Sequence, residues 1–304
     1  MDKRPASLTA LISAYARAYH SLHDAHSIFD DHLARHFFSD EEFELMGQNM
    51  AAALPFFNPE RAAANPDHAT ALKWVMREHS TPITLSRARY TEDRLQEERK
   101  QGVQQYVILG AGLDTYSFRH IEENGVLHIF EVDHPDTQAF KLQRLEGLRW
   151  NRPAHVHYVP VDFTKKRLES ALQHTPYDTR LRSFFSWLGV SYYLPRDVVF
   201  DTLRSIAAIA PAGSSIVFDY LDTDAFVPER AAARVRRMIE IVRRAGEPMI
   251  TGFSPATLGK ELAEIGLQLE ENLAPSDIEA LYFKPGADEY HAFEHVHFAC
   301  AVVK

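Results

Sequence analysis

Two glycines and a carboxylate define the chemistry open to this 304-residue chain. Gly110 and Gly112 follow three β-prone apolar residues in the run Val107-Ile-Leu-Gly-Ala-Gly-Leu-Asp-Thr-Tyr-Ser-Phe-Arg119. Lacking side chains, they let the backbone turn sharply off a strand and come close to a ligand, with a helix expected after Asp114. The next apolar run, Leu127-His-Ile-Phe-Glu-Val-Asp133, ends in an acid about 20 positions beyond the glycines. A βαβ unit sets such a carboxylate against a ribose diol, so the pattern predicts a pocket for an adenosine-containing cofactor. A dinucleotide site wants a third glycine, and here the chain reads Gly112-Leu-Asp114-Thr115. A carboxylate facing a pyrophosphate at about 4 Å costs about 4 kcal/mol per charge pair at an effective dielectric near 20. The same carboxylate favours a sulfonium ligand, which has no phosphate and carries an ammonium on its amino-acid portion. The alternative is that Asp114 caps the following helix, its side chain turned to the backbone amides.

The elements that must position these residues form an alternating series. Strands are expected at Tyr106–Leu109, Leu127–Glu131, His155–Val159, Ser183–Trp187 and Ser215–Phe218. Helices fit between them, notably Arg196–Ala210, where Val198, Val199, Leu203 and Ile206 share a face. Strands separated by helices give a doubly wound, mostly parallel α/β sheet. Farther on, Thr257–Ile265 reads as a helix and Gly266–Leu273 as a strand. An irregular segment with Pro275, Pro285 and Gly286 leads to a last strand, Glu294–Val303. With no crossover helix between them, the final two strands are expected to be antiparallel neighbours at one sheet edge. That pairing favours a methyltransferase-type sheet of seven strands over the all-parallel dinucleotide form.

Residues 1–100 read instead as a helical N-terminal region, and 101–304 as the cofactor-binding core. Leu8, Leu11, Ile12 and Tyr15 recur at helical spacing, as do Phe37, Phe43 and Met46. A further helix is expected from Thr81-Pro82 to Lys100, ending before Gly102.

Composition removes several classes of function. Hydrophobic residues at 45% and charged residues at 25% are those of a globular protein rather than a disordered one. A formal charge of −9 argues against nucleic acid as a partner, which needs a concentrated positive field. Cys300 is the only cysteine, so a disulfide within the chain and a cysteine-rich metal site are excluded, and a cytoplasmic setting fits best. The short apolar stretch behind Lys3 and Arg4 is broken by Arg17 and His20, unlike a signal peptide, and no window is long enough to span a membrane. Among sixteen histidines, the pairs His155/His157 and His295/His297 could each share a strand face, but without a cysteine cluster or a His-Glu-x-x-His helix no metal is expected. The arginine-rich helix at Glu229–Arg244, with Arg230, Arg234 and Arg237, reads as a solvated face or a cap over the site. Ser186 lacks the glycine-x-serine-x-glycine elbow of hydrolases.

The ordered motifs Ile108-Leu-Gly-Ala-Gly-Leu-Asp-Thr115 with Arg119, Phe130-Glu-Val-Asp-His-Pro135, Val161-Asp162, Phe185-Ser-Trp-Leu-Gly-Val-Ser-Tyr-Tyr-Leu-Pro195 and Phe218-Asp-Tyr220 resemble one family. It is the leucine carboxyl methyltransferase-like group of class I S-adenosylmethionine-dependent methyltransferases, including bacterial O-methyltransferases. The resemblance covers roughly residues 80 to 220 and implies S-adenosyl-L-methionine as cofactor. Gly110, Ala111 and Gly112, with Asp114, are then expected along its methionine portion, and Asp133, with His134 beside it, at the ribose hydroxyls. The family pattern sets Asp162 near the adenine amino group with Phe163 beside it, although Asp162 has the alternative of capping its own helix. The resemblance also points to an arginine ahead of the first strand for the cofactor carboxylate: Arg87, with Arg89 in reserve, in place of an ordinary solvated helix face. Related enzymes often carry a glutamate where Leu188 stands, which leaves Trp187, Gly189 and Tyr192 to shape that wall. It also separates this chain from the eukaryotic enzyme's substrate, a protein C-terminal leucine carboxylate.

The methyl group of a sulfonium is already activated, so such an enzyme chiefly aligns a nucleophile opposite the departing sulfur. The expected reaction is O-methylation of a small-molecule acceptor, at a carboxylate that needs no general base, beneath a lid of N-terminal helices. Tyr15, Tyr19, His20, Tyr192 and Tyr193 are the candidates to line that space, against the plainer role of packing aromatics. Two other readings stand beside it: an NAD(P)-dependent oxidoreductase, on the glycines and Asp133, and a non-catalytic cofactor-binding protein, on the missing glutamate. Oligomeric state stays open.

Overall fold

Seven short apolar runs hydrogen-bond into one sheet in the computed structural model, which describes residues 7–24, 28–79, 81–121, 127–283 and 290–304. They are β1 (Gln105–Leu109), β2 (His128–Asp133), β3 (Val156–Pro160), β4 (Ser183–Trp187), β5 (Ser215–Leu221), β6 (Leu267–Leu273) and β7 (Val296–Val303). Side by side they run β3-β2-β1-β4-β5-β7-β6. The strands β1 to β5 pair in parallel, and β7 lies antiparallel to both its neighbours. Every residue of β1, β4 and β5 is buried, which is why these strands read as continuous apolar runs rather than alternating ones. The chain leaves β1 toward β2 and β3, then returns to the other side of β1 as β4. That reversal opens a crevice at the C-terminal ends of the strands.

Helices α1 (Leu8–His23), α2 (Asp40–Ala52), α3 (Leu54–Phe57), α4 (Pro59–Ala63), α5 (His68–Glu78) and α6 (Thr81–Lys100) precede the sheet. Interleaved with the strands are α7 (Tyr116–Arg119), α8 (Pro135–Gly147), α9 (Leu168–Leu172), α10 (Arg196–Ile209), α11 (Ala233–Arg244), α12 (Leu258–Ala263) and α13 (Pro275–Tyr282). Strand residues alternate between two cores. Val107, Phe185, Trp187 and Ile216 face α9, α10 and α12, while Tyr106, Ile108, Phe184 and Val217 face α6, α11 and α13. Val199, Leu203 and Ile206 of α10 are fully buried, each worth roughly 1.5–3 kcal/mol of burial.

Several expectations change in detail. The helix after Asp114 is a single turn, α7. The segment after β6 is not irregular throughout, because Pro275 sits in the first turn of α13 and Asp277 accepts the Ala274 amide at 2.8 Å. A proline there starts a helix instead of breaking one. Helix α13 still makes no parallel crossover, and β6 and β7 pair antiparallel as expected. Pro285 and Gly286 lie outside the described residues. The Phe37, Phe43 and Met46 stripe is divided, since Phe37 ends a 3₁₀ turn and Ser39 caps α2 in a capping box with Glu42. The arginine-rich helix begins at Ala233, not Glu229.

Candidate active site

The C-terminal ends of the first four strands open into a cavity of about 780 Å³, closed on its other sides by α1, α2, α6, α11 and residues 245–249. The glycine loop forms its inner edge. Gly110 and Gly112 hold φ angles of +71° and +50°, a region that side chains oppose, and a Cβ on Gly110 would run into Val190. Gly110 and Ala111 both donate to the Val132 carbonyl, at 2.8 and 3.2 Å, which bends the loop over the end of β2. There the Asp133 carboxylate accepts the Gly112 amide at 2.5 Å and the His134 amide at 2.6 Å. Burial raises its pKa, and those two amides oppose the rise. Each oxygen keeps lone pairs for a ligand.

Asp114 lines the cavity, yet its Oδ1 accepts the Tyr116 amide at 2.8 Å, the cap-like contact weighed from the sequence. Asp162 also borders the cavity, beside Phe163 and with His134 Nε2 at 3.7 Å. Its carboxylate closes its own turn through the Thr164 amide at 3.0 Å, the Thr164 hydroxyl at 2.6 Å and Lys165 Nζ at 2.6 Å. Burial raises its pKa, but those contacts outweigh it and pull the pKa down to about 2.

Arg87 reaches the cavity from α6 and is pinned from the sheet side. Its Nη1 donates to Asp219 Oδ2 at 3.0 Å and to Tyr192 Oη at 3.1 Å. The other Asp219 oxygen accepts the Gly189 amide at 2.6 Å. A Cβ on Gly189 would sit 2.6 Å from the guanidinium, so glycine is required for this close stacking. Burial opposes the charge on Arg87, while Asp219 and Tyr192 hold it protonated. Burial and Asp219 push the Tyr192 phenol above its ordinary pKa. Arg89 turns away to pair with Asp93 at 2.8 Å on the surface.

Four expected residues lie elsewhere. Trp187 is fully buried on the opposite face of the sheet, because strand alternation gives the cavity face to Ser186 and Leu188. Tyr15 packs edge-on to Phe38, and Tyr19 packs against Tyr15 and His23. His20 has both ring nitrogens engaged, Nδ1 with Asp24 at 2.7 Å and Nε2 with the Ile28 amide at 3.0 Å. These aromatics serve helix packing, while Thr9, Ala10, Ser13 and Arg17 give α1 its cavity face. Tyr192 and Tyr193 do border the cavity.

Residues given no role in the sequence reading complete the wall. Arg17 spans Asp31 Oδ2 at 2.8 Å and the Leu113 carbonyl at 2.7 Å, fastening α1 to the glycine loop. Arg119 pairs with Glu92 and approaches Asp31 at 3.5 Å. Beneath the loop, buried Lys141 joins Glu131 at 2.5 Å to the Asp114 carbonyl at 2.7 Å. Glu131 and Asp219 share a signal the sequence does carry: an acid in the middle of an apolar strand must have a buried partner. Thr84 and Thr91 sit one turn on either side of Arg87, and both hydroxyls are buried without a partner. Among the described residues, seven carboxylates, including Asp31, Glu92, Asp133 and Glu247, line the cavity against three guanidinium groups.

A family model for leucine carboxyl methyltransferase matches residues 10–207. The chain is 42% identical over 305 residues to YktD of Bacillus subtilis (strain 168), a candidate S-adenosyl-L-methionine-dependent methyltransferase, covering 100% of both. A candidate of the same description from Mycobacterium avium (strain 104) is 33% identical over 159 residues, 51% of this chain and 52% of its own. Among solved structures, a DUF574 family protein from Streptomyces avermitilis superposes with a TM-score of 0.59 at 16% identity, over 100% of this chain and 99% of that one. A candidate methyltransferase from Thermobifida fusca YX gives 0.53 at 14% identity, over 100% and 96%. These two structures share the fold.

Proposed function

The chain belongs to the leucine carboxyl methyltransferase family and is an S-adenosylmethionine-dependent methyltransferase, and from that premise we propose that it methylates a small molecule at a carboxylate oxygen. The observation that carries the cofactor's place is the side-chain-free bend at Gly110 and Gly112, closed onto Asp133 within an acidic wall. Such a wall suits a sulfonium and opposes a diphosphate. Nothing in the family match supports the NAD(P)-dependent oxidoreductase or the non-catalytic reading. When bound, S-adenosylmethionine supplies a methyl group on a positively charged sulfur, ready for direct in-line transfer to the acceptor oxygen.

Asp133 accepts the ribose hydroxyls, Ala111 and Asp114 flank the amino-acid portion, and Arg87 offers the cofactor carboxylate the edge of its guanidinium that Asp219 leaves free. His134, Asp162 and Phe163 border the adenine. The helices of residues 1–100 form the lid. A carboxylate acceptor is favoured because no strong base among the described residues faces it. His79, at the acceptor end, has its pKa lowered by burial to about 4, and burial lifts the Tyr193 phenol well above its usual range. An acceptor already ionised at neutral pH needs neither.

Calorimetric titration with S-adenosylmethionine tests the site. Wild-type protein is expected to bind in the micromolar range, and Asp133→Ala on the order of 100-fold more weakly, since two hydrogen bonds to a charged group are removed. Heat from NAD with none from S-adenosylmethionine would end the proposal.

A further inference from the structure

The cavity has two unlike ends. Around the glycine loop its walls are charged, whereas α2, α3, α11 and residues 245–249 enclose the other end with Met46, Met50, Phe57, Met238, Ile241 and Met249, the one carboxylate of that segment, Glu247, accepting the Thr9 amide. Four of the six methionines in the chain are gathered there. Methionine is unbranched and polarisable, and it moulds to apolar ligands of differing outline. The N-terminal end of α6 reaches into this region through Ile83, and His79 just ahead of it packs edge-on against Phe57 with ring centroids 4.7 Å apart.

Thr84 stands at the boundary, one helical turn from Arg87. A helical hydroxyl ordinarily donates to the carbonyl one turn back, as Ser86 does to Pro82 at 2.7 Å. Thr84 is 2% exposed and its hydroxyl has no partner, although it lines the cavity. A buried, unmet donor at the edge of an apolar chamber is suited to one polar group of a ligand. Among the described residues, every guanidinium on the cavity wall is already paired: Arg17 with Asp31, Arg87 with Asp219 and Arg119 with Glu92. With the free edge of Arg87 given to the cofactor carboxylate, no cation among the described lining residues is left over for a second carboxylate on the acceptor.

We infer that the acceptor is a monocarboxylic acid with a bulky, uncharged hydrocarbon body, which fills the methionine-lined end while Thr84 donates its hydroxyl proton to the acceptor carboxylate. This rests on the cofactor lying at the glycine loop, as proposed above. A carboxylate oxygen forms the new carbon–oxygen bond as the carbon–sulfur bond breaks, the electron pair stays on sulfur, and no proton is removed. Positive and negative charge vanish together in this step, so a largely apolar chamber favours the transition state over the separated ions.

Decanoate and decanedioate, equal in length and differing by one carboxylate, are titrated into the full chain saturated with S-adenosylhomocysteine. Decanoate is expected to bind at least about tenfold more tightly, because the second carboxylate enters the apolar end without a partner. With S-adenosylmethionine, mass spectrometry is expected to detect methyl decanoate. Thr84→Val is expected to weaken decanoate about tenfold and Thr84→Ser to restore it, while Met50→Asp removes it, all with S-adenosylhomocysteine affinity unchanged. Equal affinity for the two acids, or no decanoate binding by a protein that holds S-adenosylhomocysteine, overturns the inference. Undiminished binding by Thr84→Val overturns the role of Thr84. Failure of S-adenosylhomocysteine itself to bind instead removes the cofactor site on which the inference stands.

Discussion

Asp219 is completely buried, and its two oxygens serve different masters: one holds Arg87, the other the Gly189 amide. A buried carboxylate survives only with such partners, and removing one side of a buried ion pair costs about 3–5 kcal/mol. The pair therefore fixes the cavity wall where strand β4 ends, rather than merely adding charge to it. His79 is the opposite case, a buried imidazole whose burial disfavours the charged form. The unfolded chain protonates near 6.5, while the folded His79 stays neutral down to about 4. Between those values the unfolded state binds more protons, so stability falls as pH falls, by about 3 kcal/mol across the window. Urea denaturation between pH 7 and pH 4 is expected to show that loss in the wild type and to lack it in His79→Leu. Parallel curves for the two proteins would mean the imidazole is hydrated after all. At this scale the sequence revealed the glycines and Asp133, whose spacing is local. It concealed Arg87–Asp219 and Lys141–Glu131, because a partner 132 or 10 positions away is chosen by the sheet and not by any motif.

Helix α1 is tied down at both ends of its cavity face. Arg17 grips the glycine loop, and the Thr9 amide donates to Glu247 at 3.2 Å, across to residues 245–249. Ala10 lies against Gly112, its Cβ 3.4 Å from where a side chain there would begin. A ligand under this helix adds contacts between those two ties. Hydrogen exchange is expected to slow by about tenfold or more in residues 8–17 and 245–249 when S-adenosylhomocysteine is added, with α10 little changed at short labelling times. No slowing in α1, or equal slowing in α10, would make α1 a fixed wall and not a lid. Elements were legible where burial is continuous, as in Ser183–Trp187, or where start and stop residues bound a helix, as in Thr81–Lys100, and both occur at the boundaries their residues suggest. Direction was not. Trp187 shares a strand with Ser186 and Leu188, and only the pairing of β4 between β1 and β5 decides which of them meets the cavity. The aromatic stripe of α1 was similarly readable as apolar, but its partner proved to be the Phe38 and Phe43 region rather than a ligand.

The strand order places one crevice between the β1–β2–β3 half and the β4–β5 half, and the whole molecule charges it negatively. The chain carries a net −9, and the described residues of the cavity wall repeat that bias with seven carboxylates to three guanidinium groups. S-adenosylmethionine bears one positive charge more than its demethylated product, so a donor seated here as proposed is held by this field and its product released. The difference between the two is electrostatic, and salt must therefore reduce it. Between about 0.05 M and 0.5 M ionic strength the screening length shrinks from roughly 14 Å to roughly 4 Å. Calorimetry across that range is expected to show S-adenosylmethionine affinity falling several-fold more than that of S-adenosylhomocysteine. Equal salt slopes would mean that the wall recognises the shared adenosine and amino-acid groups alone. The acidic lining would then serve only to anchor Arg17 and Arg119, and product release would have to come from motion of the N-terminal helices proposed as a lid.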